Sequence, residues 1–471
     1  HLYGFLGCKQ PCLRLWISSL TDEAITEGMA NLLPCDRFDN LFLAADSRNR
    51  ADWLLGVNSS YAICKAVGFG NNSLGRVQTP VLAEICRRYR ERENHMPADS
   101  WPVFISLCKN DRILKMRHVD DLVVRREALA LYEDCKAAKS VRITAVGKRT
   151  EEIGAPALYN LAELQKDANR YHSLTAIQVQ EIAQGLYEKK LISYPRTSSR
   201  LLPKDVYDTL PPVMEKMLSR KEFRQYADTV DLAAPRDSIE AQDTMEHHAI
   251  IITGTQPGKL DREEMLVYTL IVGRMLETFM PPCKVEYTTV DTVCAARKFR
   301  IRTYRILEKG WLGIFEREHL VAKGCMPYLV MPDLFQEEIL PVAGCSLIHK
   351  KSLPVSPYTD EELVDYMDKA GLGTVSTRTN ILRTLLERKY IRYSGKYVVP
   401  TPKGLFLYET VRSMKVADAS LTSGWETELA RIERGELSQE KFLDGVLETV
   451  NEVTGEIFRN HPVKKRQQGT T

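Results

Sequence analysis

Apolar residues recur at helical spacing over several long stretches of this chain, and these stretches predict amphipathic helices. Residues 48–67 and 79–93 have this pattern, and so does the region from Pro156 to Lys190. Within that region Thr175 and Gln178 have the T-x-x-Q spacing of a capping box, which marks a helix start. The apolar residues that follow fall on one helical face: Ala176, Ile177, Val179, Ile182, Ala183 and Leu186.

A second pattern, typical of strands, occupies two other parts of the chain. Residues 102–111 and 141–149 predict strands, and 120–138 predicts a helix between them. Strand-like sequence returns at Cys283 and continues to about His349. The fold class expected from this alternation is mixed α and β, in several domains.

Residues 359–400 predict a winged helix-turn-helix. Thr359 and Glu362 can cap the first helix, Gly371 and Gly373 mark the turn, and a hairpin is centred on Ser394 and the glycine after it. The same pattern is equally typical of an ordinary helix pair followed by a hairpin.

Composition limits the possible functions only loosely. The 471 residues allow about three domains. There are 65 basic and 62 acidic residues, a balance that argues weakly against a nucleic-acid partner, although it can conceal a basic groove. No apolar run approaches the roughly 18–20 residues of a transmembrane helix, so we expect no membrane partner. The eleven cysteines include no C-x-x-C pair, so we expect reduced thiols and no zinc.

The segment Leu191–Arg200 has the composition of a phosphate site. Tyr194 is followed closely by Arg196 and Arg200, with three hydroxyl side chains between the two arginines. Guanidinium groups bind phosphate, and a tyrosine beside them could attack a phosphodiester because positive charge favours its phenolate. The chain has 20 tyrosines, however, and most tyrosines are packing residues, so the segment alone favours a packing role.

Two further segments could contact phosphate. His247 and His248 open an apolar run, where one could shuttle a proton, although such pairs are more often structural. Residues 70–80 form a glycine-rich loop that enters a helix like a P-loop. Arg76 and Val77 replace the Lys-Ser/Thr pair of ATP sites, so we expect no ATP, while Arg76 and Thr79 could hold a backbone phosphate. A plain capped loop is the alternative.

Four motifs together resemble type IA DNA topoisomerases, most closely the bacterial topoisomerase III branch. They are SLGRVQTP, YPRTSSR, HHAII and GLGTVSTR, in the order found in that family. LWISSLT, ADWLLGVN, LYNLAELQKDANR and SGWETELARIERGEL extend the resemblance from about Arg14 to about Ile457. It implies a toroidal core with winged-helix-type helical domains and a β-rich arch. It also implies transient cleavage of one DNA strand, strand passage and religation without ATP, relaxing negative supercoils or decatenating DNA.

The resemblance assigns the candidate site residues. Tyr194 becomes the nucleophile of a 5′-phosphotyrosyl intermediate, Arg196 positions the scissile phosphate, and His247 bonds to that phosphate region. The implied DNA contacts are Ser73, Leu74, Gly75, Arg76, Val77, Gln78, Thr79, Thr197, Ser199, Arg200, Thr374, Ser376, Thr377 and Arg378. Ser198, Ile252 and Val375 depart from the family pattern, which commonly has Asp, Pro and Pro there.

The implied domain order is discontinuous. It comprises the end of a Toprim domain (1–19), a helical DNA-binding domain (20–100 and 351–460), a β-arch (101–150 and 284–350), an inserted domain with the catalytic tyrosine (151–283) and a basic tail (461–471). A Toprim domain carries a catalytic Glu and a D-x-D-type Mg²⁺ cluster, and this chain has no D-x-D pair. We therefore expect that the sequence is truncated and that the Mg²⁺ ligands lie outside it.

The partner expected from the family is single-stranded or negatively supercoiled DNA. The enzyme would be a cytoplasmic monomer, nucleoid-associated or encoded on a plasmid or mobile element. The alternative is that this chain alone is an incompetent fragment or remnant that binds single-stranded DNA. A winged-helix transcription factor would leave most of the chain unexplained.

Overall fold

The computed structural model describes residues 6–17, 22–68, 71–221, 223–230, 239–240, 247–327, 332–375 and 377–461. Helices and strands alternate in blocks along it. The helices are α1 (Asp22–Ala30), α2 (Asp39–Val67), α3 (Gln78–Glu93), α4 (Arg125–Ala137), α5 (Leu161–His172), α6 (Ala176–Glu188), α7 (Lys204–Asp208), α8 (Leu210–Leu218), α9 (Arg262–Thr278), α10 (His319–Ala322), α11 (Asp360–Lys369), α12 (Arg378–Glu387), α13 (Pro402–Val411), α14 (Ala419–Glu433) and α15 (Gln439–Asn460).

Six long strands dominate the β structure, and shorter ones pair locally. The strands are β1 (Leu13–Arg14), β2 (Leu33–Pro34), β3 (Asp99–Ser100), β4 (Val103–Lys109), β5 (Arg112–His118), β6 (Ser140–Ile153), β7 (Leu202–Pro203), β8 (Ile239–Glu240), β9 (Cys283–Cys294), β10 (Arg297–Glu308), β11 (Met326–Pro327), β12 (Ile339–Leu347), β13 (Lys350–Lys351), β14 (Tyr358–Thr359), β15 (Ile391–Ser394) and β16 (Tyr397–Pro400).

The main sheet closes on itself. Its strands run β10-β5-β4-β12-β6-β9, and β9 pairs again with β10, so the six form a closed circuit with β11 added beside β10. β6 and β9 are paired from Arg142 opposite Val293 to Ile153 opposite Cys283. Closure leaves these six strands without a free edge among themselves. The two predicted blocks of strands therefore belong to one sheet.

Four apolar cores hold the described residues together. Leu55 and Phe442 lie in a core that joins α2 and α3 to the helices after residue 358. Tyr159 and Phe279 lie in a second core, built from residues 158–279. Phe299 belongs to the core under the closed sheet, and a fourth cluster draws on residues 280–321. The limits of the domains themselves stay predictions.

The helix pair and hairpin predicted within 359–400 are present. α11 and α12 are joined by a turn in which Gly371 and Gly373 have φ of 63° and 74°, a region where a side chain is strained. β15 and β16 then form the hairpin, with β14 pairing on the outer side of β16. The capping boxes predicted at Thr175 and Thr359 are both formed.

Two sequence predictions are corrected. The helix expected over 120–138 begins only at Arg125, because the backbone before it is extended and Trp101 N donates to Leu122 O at 2.8 Å. The expectation of reduced thiols is wrong at Cys12 and Cys35, which form a disulfide. That bond adjoins the pairing of β1 with β2, and the other nine cysteines are free thiols.

Candidate active site and adjoining cleft

Tyr194 lies where the chain leaves α6 and pairs with the segment after the two histidines. Ile192 forms an antiparallel bridge with Ile252, and Ser193 N donates to Ile251 O at 2.9 Å. The buried Ser193 hydroxyl also donates to Ala249 O and accepts from Ile251 N. These bonds fix the backbone immediately before Tyr194, whose own side chain is half-buried.

The same pairing brings His247 to Tyr194. Thr197 is buried, and its hydroxyl donates to His247 O at 3.0 Å. The Tyr194 and His247 rings are 4.5 Å apart between centroids, and the edge of Tyr187 meets Tyr194 at 5.4 Å. Burial raises the pKa of Tyr187, and the negative charge of a Tyr194 phenolate would raise it further. The structure thus brings together two residues that are far apart in sequence, as the resemblance implies.

His248 has a different position from its neighbour. It is buried, and its Nδ1 lies 2.7 Å from Ala249 O. The second histidine of the motif is therefore buried in the protein, while the ring of His247 contacts that of Tyr194.

Arg196 is half-buried in the same loop. Its Nε is buried and finds no hydrogen-bond acceptor among the residues that the structure describes. Buried donors are rarely left without an acceptor. An anionic oxygen beside Tyr194 would supply one, which suits the predicted phosphate role.

The other predicted contacts in this loop are used inside the protein. Arg200 donates through Nε to Leu158 O and through Nη2 to Ala157 O, both at 3.2 Å. Ser199 N donates to the Thr197 hydroxyl, and the Ser199 hydroxyl accepts from Leu201 N. This argues against direct phosphate contacts by Arg200 and Thr197, which instead shape the loop.

A wall of this site comes from residues near the start of the chain. The Trp16 ring stacks with His247 at 6.0 Å and with Phe38 at 5.5 Å. The exposed Arg14 has its guanidinium carbon 4.5 Å from the centre of the Trp16 ring. Sequence reasoning missed this wall, because nothing in the spacing of Arg14 or Trp16 links them to residues more than 200 positions away.

A cleft of about 630 Å³ joins the two other predicted DNA-contacting segments. They meet there because α12 packs against α3. The residues that line the cleft are Arg48, Asp52, Trp53, Gly56, Val57, Ser60, Ser73, Leu74, Gly75, Arg76, Val77, Gln78, Gly373, Thr374, Thr377, Ile381, Thr384, Arg388 and Glu426. Ser376 lies outside the described residues.

Exposed groups in this cleft include two that sequence reasoning missed. Arg388 is exposed and donates through Nη1 to the Ser73 hydroxyl and to Gln78 Oε1, each at 2.6 Å. Trp53 is 65% exposed and lies one turn before the exposed Val57 on α2. Its position among apolar residues at helical spacing gave no sign that it faces outward. Arg388 directly follows the last turn of α12, and this position at the end of a predicted helix was the available sequence signal for it.

Arg76 and Arg378, both predicted to contact DNA, are buried and paired with carboxylates. Arg76 is 4% exposed and donates to Asp52 at 2.7 Å and to Glu426 at 2.8 Å. This geometry argues against Arg76 as the phosphate ligand of its loop. Arg378 is also buried and pairs with Asp368 at 2.6 Å. Its Nε and Nη1 find no acceptor among the described residues.

Leu74 and Thr79 are buried rather than exposed to a ligand. Leu74 is part of the helical core, and the Thr79 hydroxyl accepts from Gly75 N at 3.0 Å. The predicted DNA contacts of these two side chains are therefore unsupported by their positions. Gly75, Val77 and Gln78 line the cleft.

Across the described residues, no three or more His, Cys, Asp or Glu side chains are grouped so that they could hold a metal ion. No described helix is both long enough and apolar enough to cross a membrane.

Comparison with known proteins identifies the family. A family profile described as DNA topoisomerase matches residues 36–444, so the chain belongs to that family, and the resemblance to type IA enzymes is confirmed. The chain is 29% identical over 480 residues to DNA topoisomerase 3 of Bacillus licheniformis, and 30% identical over 491 residues to that of Bacillus anthracis. Each alignment covers 95% of this chain and 65% of the relative.

More distant matches agree. DNA topoisomerase 1 of Methanocaldococcus jannaschii is 28% identical over 450 residues, which cover 94% of this chain and 58% of that protein. The structure of full-length topoisomerase I from Thermotoga maritima has a TM-score of 0.76 at 20% identity, covering 94% of this chain and 73% of that one. This likeness supports the mixed α and β multidomain fold.

Proposed function

We propose that the protein is a type IA DNA topoisomerase that cuts and rejoins one DNA strand through Tyr194. The observation that carries the proposal is the placement of Tyr194 against His247, beside Arg196, in a chain of this family. Relaxation of negative supercoils and decatenation are the activities proposed for such a strand-passing enzyme.

The proposed step is a transesterification. Tyr194 Oη attacks phosphorus, and its proton passes to a base as the new P–O bond forms. The bond from phosphorus to the 3′ oxygen of the neighbouring nucleotide breaks, and that oxygen takes up a proton. Arg196 would stabilise the negative charge of the transition state, and His247 would bond to a phosphate oxygen. One phosphodiester replaces another, so the reversal needs no ATP.

We propose that the cleft holds single-stranded DNA. Trp53 offers an exposed indole on which a base can stack, and Arg388 offers a cation for the backbone. Stacking on an aromatic ring suits unpaired bases because their faces are accessible. The substrate is then single-stranded DNA or the unwound regions of negatively supercoiled DNA.

Mg²⁺ is proposed as the cofactor, as in the family. The described residues offer no grouped ligands for it. We further propose a monomer that works in the bacterial cytoplasm on chromosomal or plasmid DNA.

The test uses a single-stranded oligonucleotide labelled at its 3′ end, incubated with the protein and Mg²⁺. A 5′-phosphotyrosyl product carries the label into a covalent complex that survives denaturing electrophoresis. We expect Tyr194→Phe to abolish this complex and Tyr187→Phe, which alters the adjacent ring, to retain it. A labelled complex in Tyr194→Phe would refute the nucleophile. Binding without any complex in the unmodified protein would favour the non-catalytic alternative.

A further inference from the structure

A second cleft lies between the β15–β16 hairpin and the C-terminal end of α3. It has a volume of about 350 Å³ and is separate from the cleft described above. Its lining residues are Tyr89, Arg92, Ser356, Pro357, Arg392, Ser394, Tyr397, Val399 and Pro400. Two guanidinium groups and four hydroxyl-bearing side chains are thus gathered without one carboxylate.

The two arginines keep their charge uncompensated. Among the described residues, neither Arg92 nor Arg392 forms an ion pair with a carboxylate; Arg92 donates through Nη1 to Val355 O at 3.0 Å. The nearby acids Glu91 and Glu93 are paired elsewhere on α3, with other arginines of the helix. The cleft therefore has a net positive potential.

The surrounding sequence strengthens that potential. Residues 388–408 contain five basic residues and no acidic one: Arg388, Lys389, Arg392, Lys396 and Lys403. Of the tyrosines among these cations, Tyr397 lines the cleft, whereas Tyr390 is fully buried and Tyr393 donates to Asp360. The Lys396 ammonium at the hairpin turn is 5.5 Å from the centre of the Tyr397 ring, at the edge of the cleft.

The second cleft is within reach of the first. Arg388 lines the first cleft and Arg392 lines the second, and four residues of chain span at most roughly 14 Å. A polyanion that leaves the first cleft past Arg388 can therefore continue to Arg392. Neither a small anion nor an isolated phosphate would use both positions together.

We propose that this second cleft binds the phosphate backbone of DNA that extends out of the first cleft. Arg92 and Arg392 contact phosphate oxygens, and the serine and tyrosine hydroxyls donate to them. The site reads no sequence, and it lengthens the bound strand. The inference rests on the proposed function only in taking DNA as the ligand.

The test compares salt dependence for two single-stranded oligonucleotides, of about 8 and about 25 nucleotides. For the longer one, we expect the double variant Arg92→Gln/Arg392→Gln to make the slope of log affinity against log salt about 1.4 less negative, since each lost phosphate contact is worth about 0.7. Binding of the shorter oligonucleotide should be unchanged. Arg92→Lys/Arg392→Lys should restore the slope because it keeps both charges.

Arg412→Gln/Arg434→Gln is the matched control, because it removes two positive charges at exposed helix ends outside both clefts. It should leave both slopes as they are. An unchanged slope for the longer oligonucleotide, or equal weakening of both lengths, would overturn the second site. If the unmodified protein binds neither oligonucleotide, the proposed function itself fails. If the Tyr194 complex forms normally while the slope is unchanged, only the second site fails.

Discussion

At the scale of single residues, the motifs predicted which residues come together better than which side chains are left exposed to a ligand. The rings of Tyr194 and His247 are in contact, yet Arg76 and Arg200 donate to groups of the protein itself. A motif cannot show this, because burial depends on distant partners. Glu426, which holds Arg76, is 350 positions along the chain.

Arg76→Met tests this reassignment. The change removes the buried partner of Asp52 and one of the two arginines paired with Glu426, so we expect the free energy of unfolding to fall by about 2 kcal/mol. Burial alone would raise the pKa of Glu426, but Arg48 and Arg76 hold it below its usual range. Oligonucleotide affinity of the folded variant should change little, as measured beside a denaturation curve.

Arg48→Met is the control, because Arg48 pairs with the same Glu426 from a more exposed position. It should destabilise the protein less than Arg76→Met does. A large loss of affinity in a stable Arg76→Met protein would restore Arg76 as a phosphate ligand.

At the scale of elements, the strands and helices were predictable from the sequence, but the closure of the six-stranded sheet was not. The local pattern gives two blocks of strands, but β10 pairs with β5 across about 180 residues. Such register depends on contacts that no short window contains. The capping boxes, in contrast, were predictable because both partners lie within four residues.

Asp291 in β9 provides a pH test of the closed sheet. Hydrogen bonds from Arg300, opposed by burial and aided by Lys298, lower the pKa of Asp291 to about 2. Since the folded pKa lies below the unfolded value, the carboxylate stabilises the fold above about pH 4 and loses this effect as pH falls toward 2. The contribution is about 2 kcal/mol at neutral pH.

Asp291→Asn should therefore unfold more easily than the unmodified protein at pH 7 in urea. The difference should narrow below about pH 4. Glu286→Gln, whose ion pair with Arg305 joins the same two strands, is the control for a generic loss of charge. A difference that is constant from pH 7 to pH 3 would contradict the role of Asp291.

At the scale of the whole molecule, the disulfide between Cys12 and Cys35 connects the start of the chain to the candidate active site. It fixes β1 against β2, immediately before Trp16 stacks on His247. Cysteine spacing could not predict this pair, since the two residues are 23 positions apart and carry no motif. Closing such a loop stabilises a fold by about 3 kcal/mol.

Counting thiols checks the bond. Denatured but unreduced protein should react with a thiol reagent at nine cysteines, and reduced protein at eleven. Cys12→Ser should give ten under both conditions, because Cys35 is then a free thiol. Eleven reactive thiols without reduction would contradict the disulfide. The segment before Trp16 would then lack this covalent link to Cys35.

Ile153, the last residue of β6, is paired with Cys283, the first residue of β9. Opposed residues of antiparallel strands lie about 5 Å apart, a gap that a two-residue turn can bridge. The segment between Ile153 and Cys283, which includes Tyr194 and His247, therefore begins and ends at adjacent positions, where a hairpin turn would otherwise connect β6 to β9. The segment that carries the candidate active site can therefore be inserted or replaced at this one position without changing the strand order of the sheet.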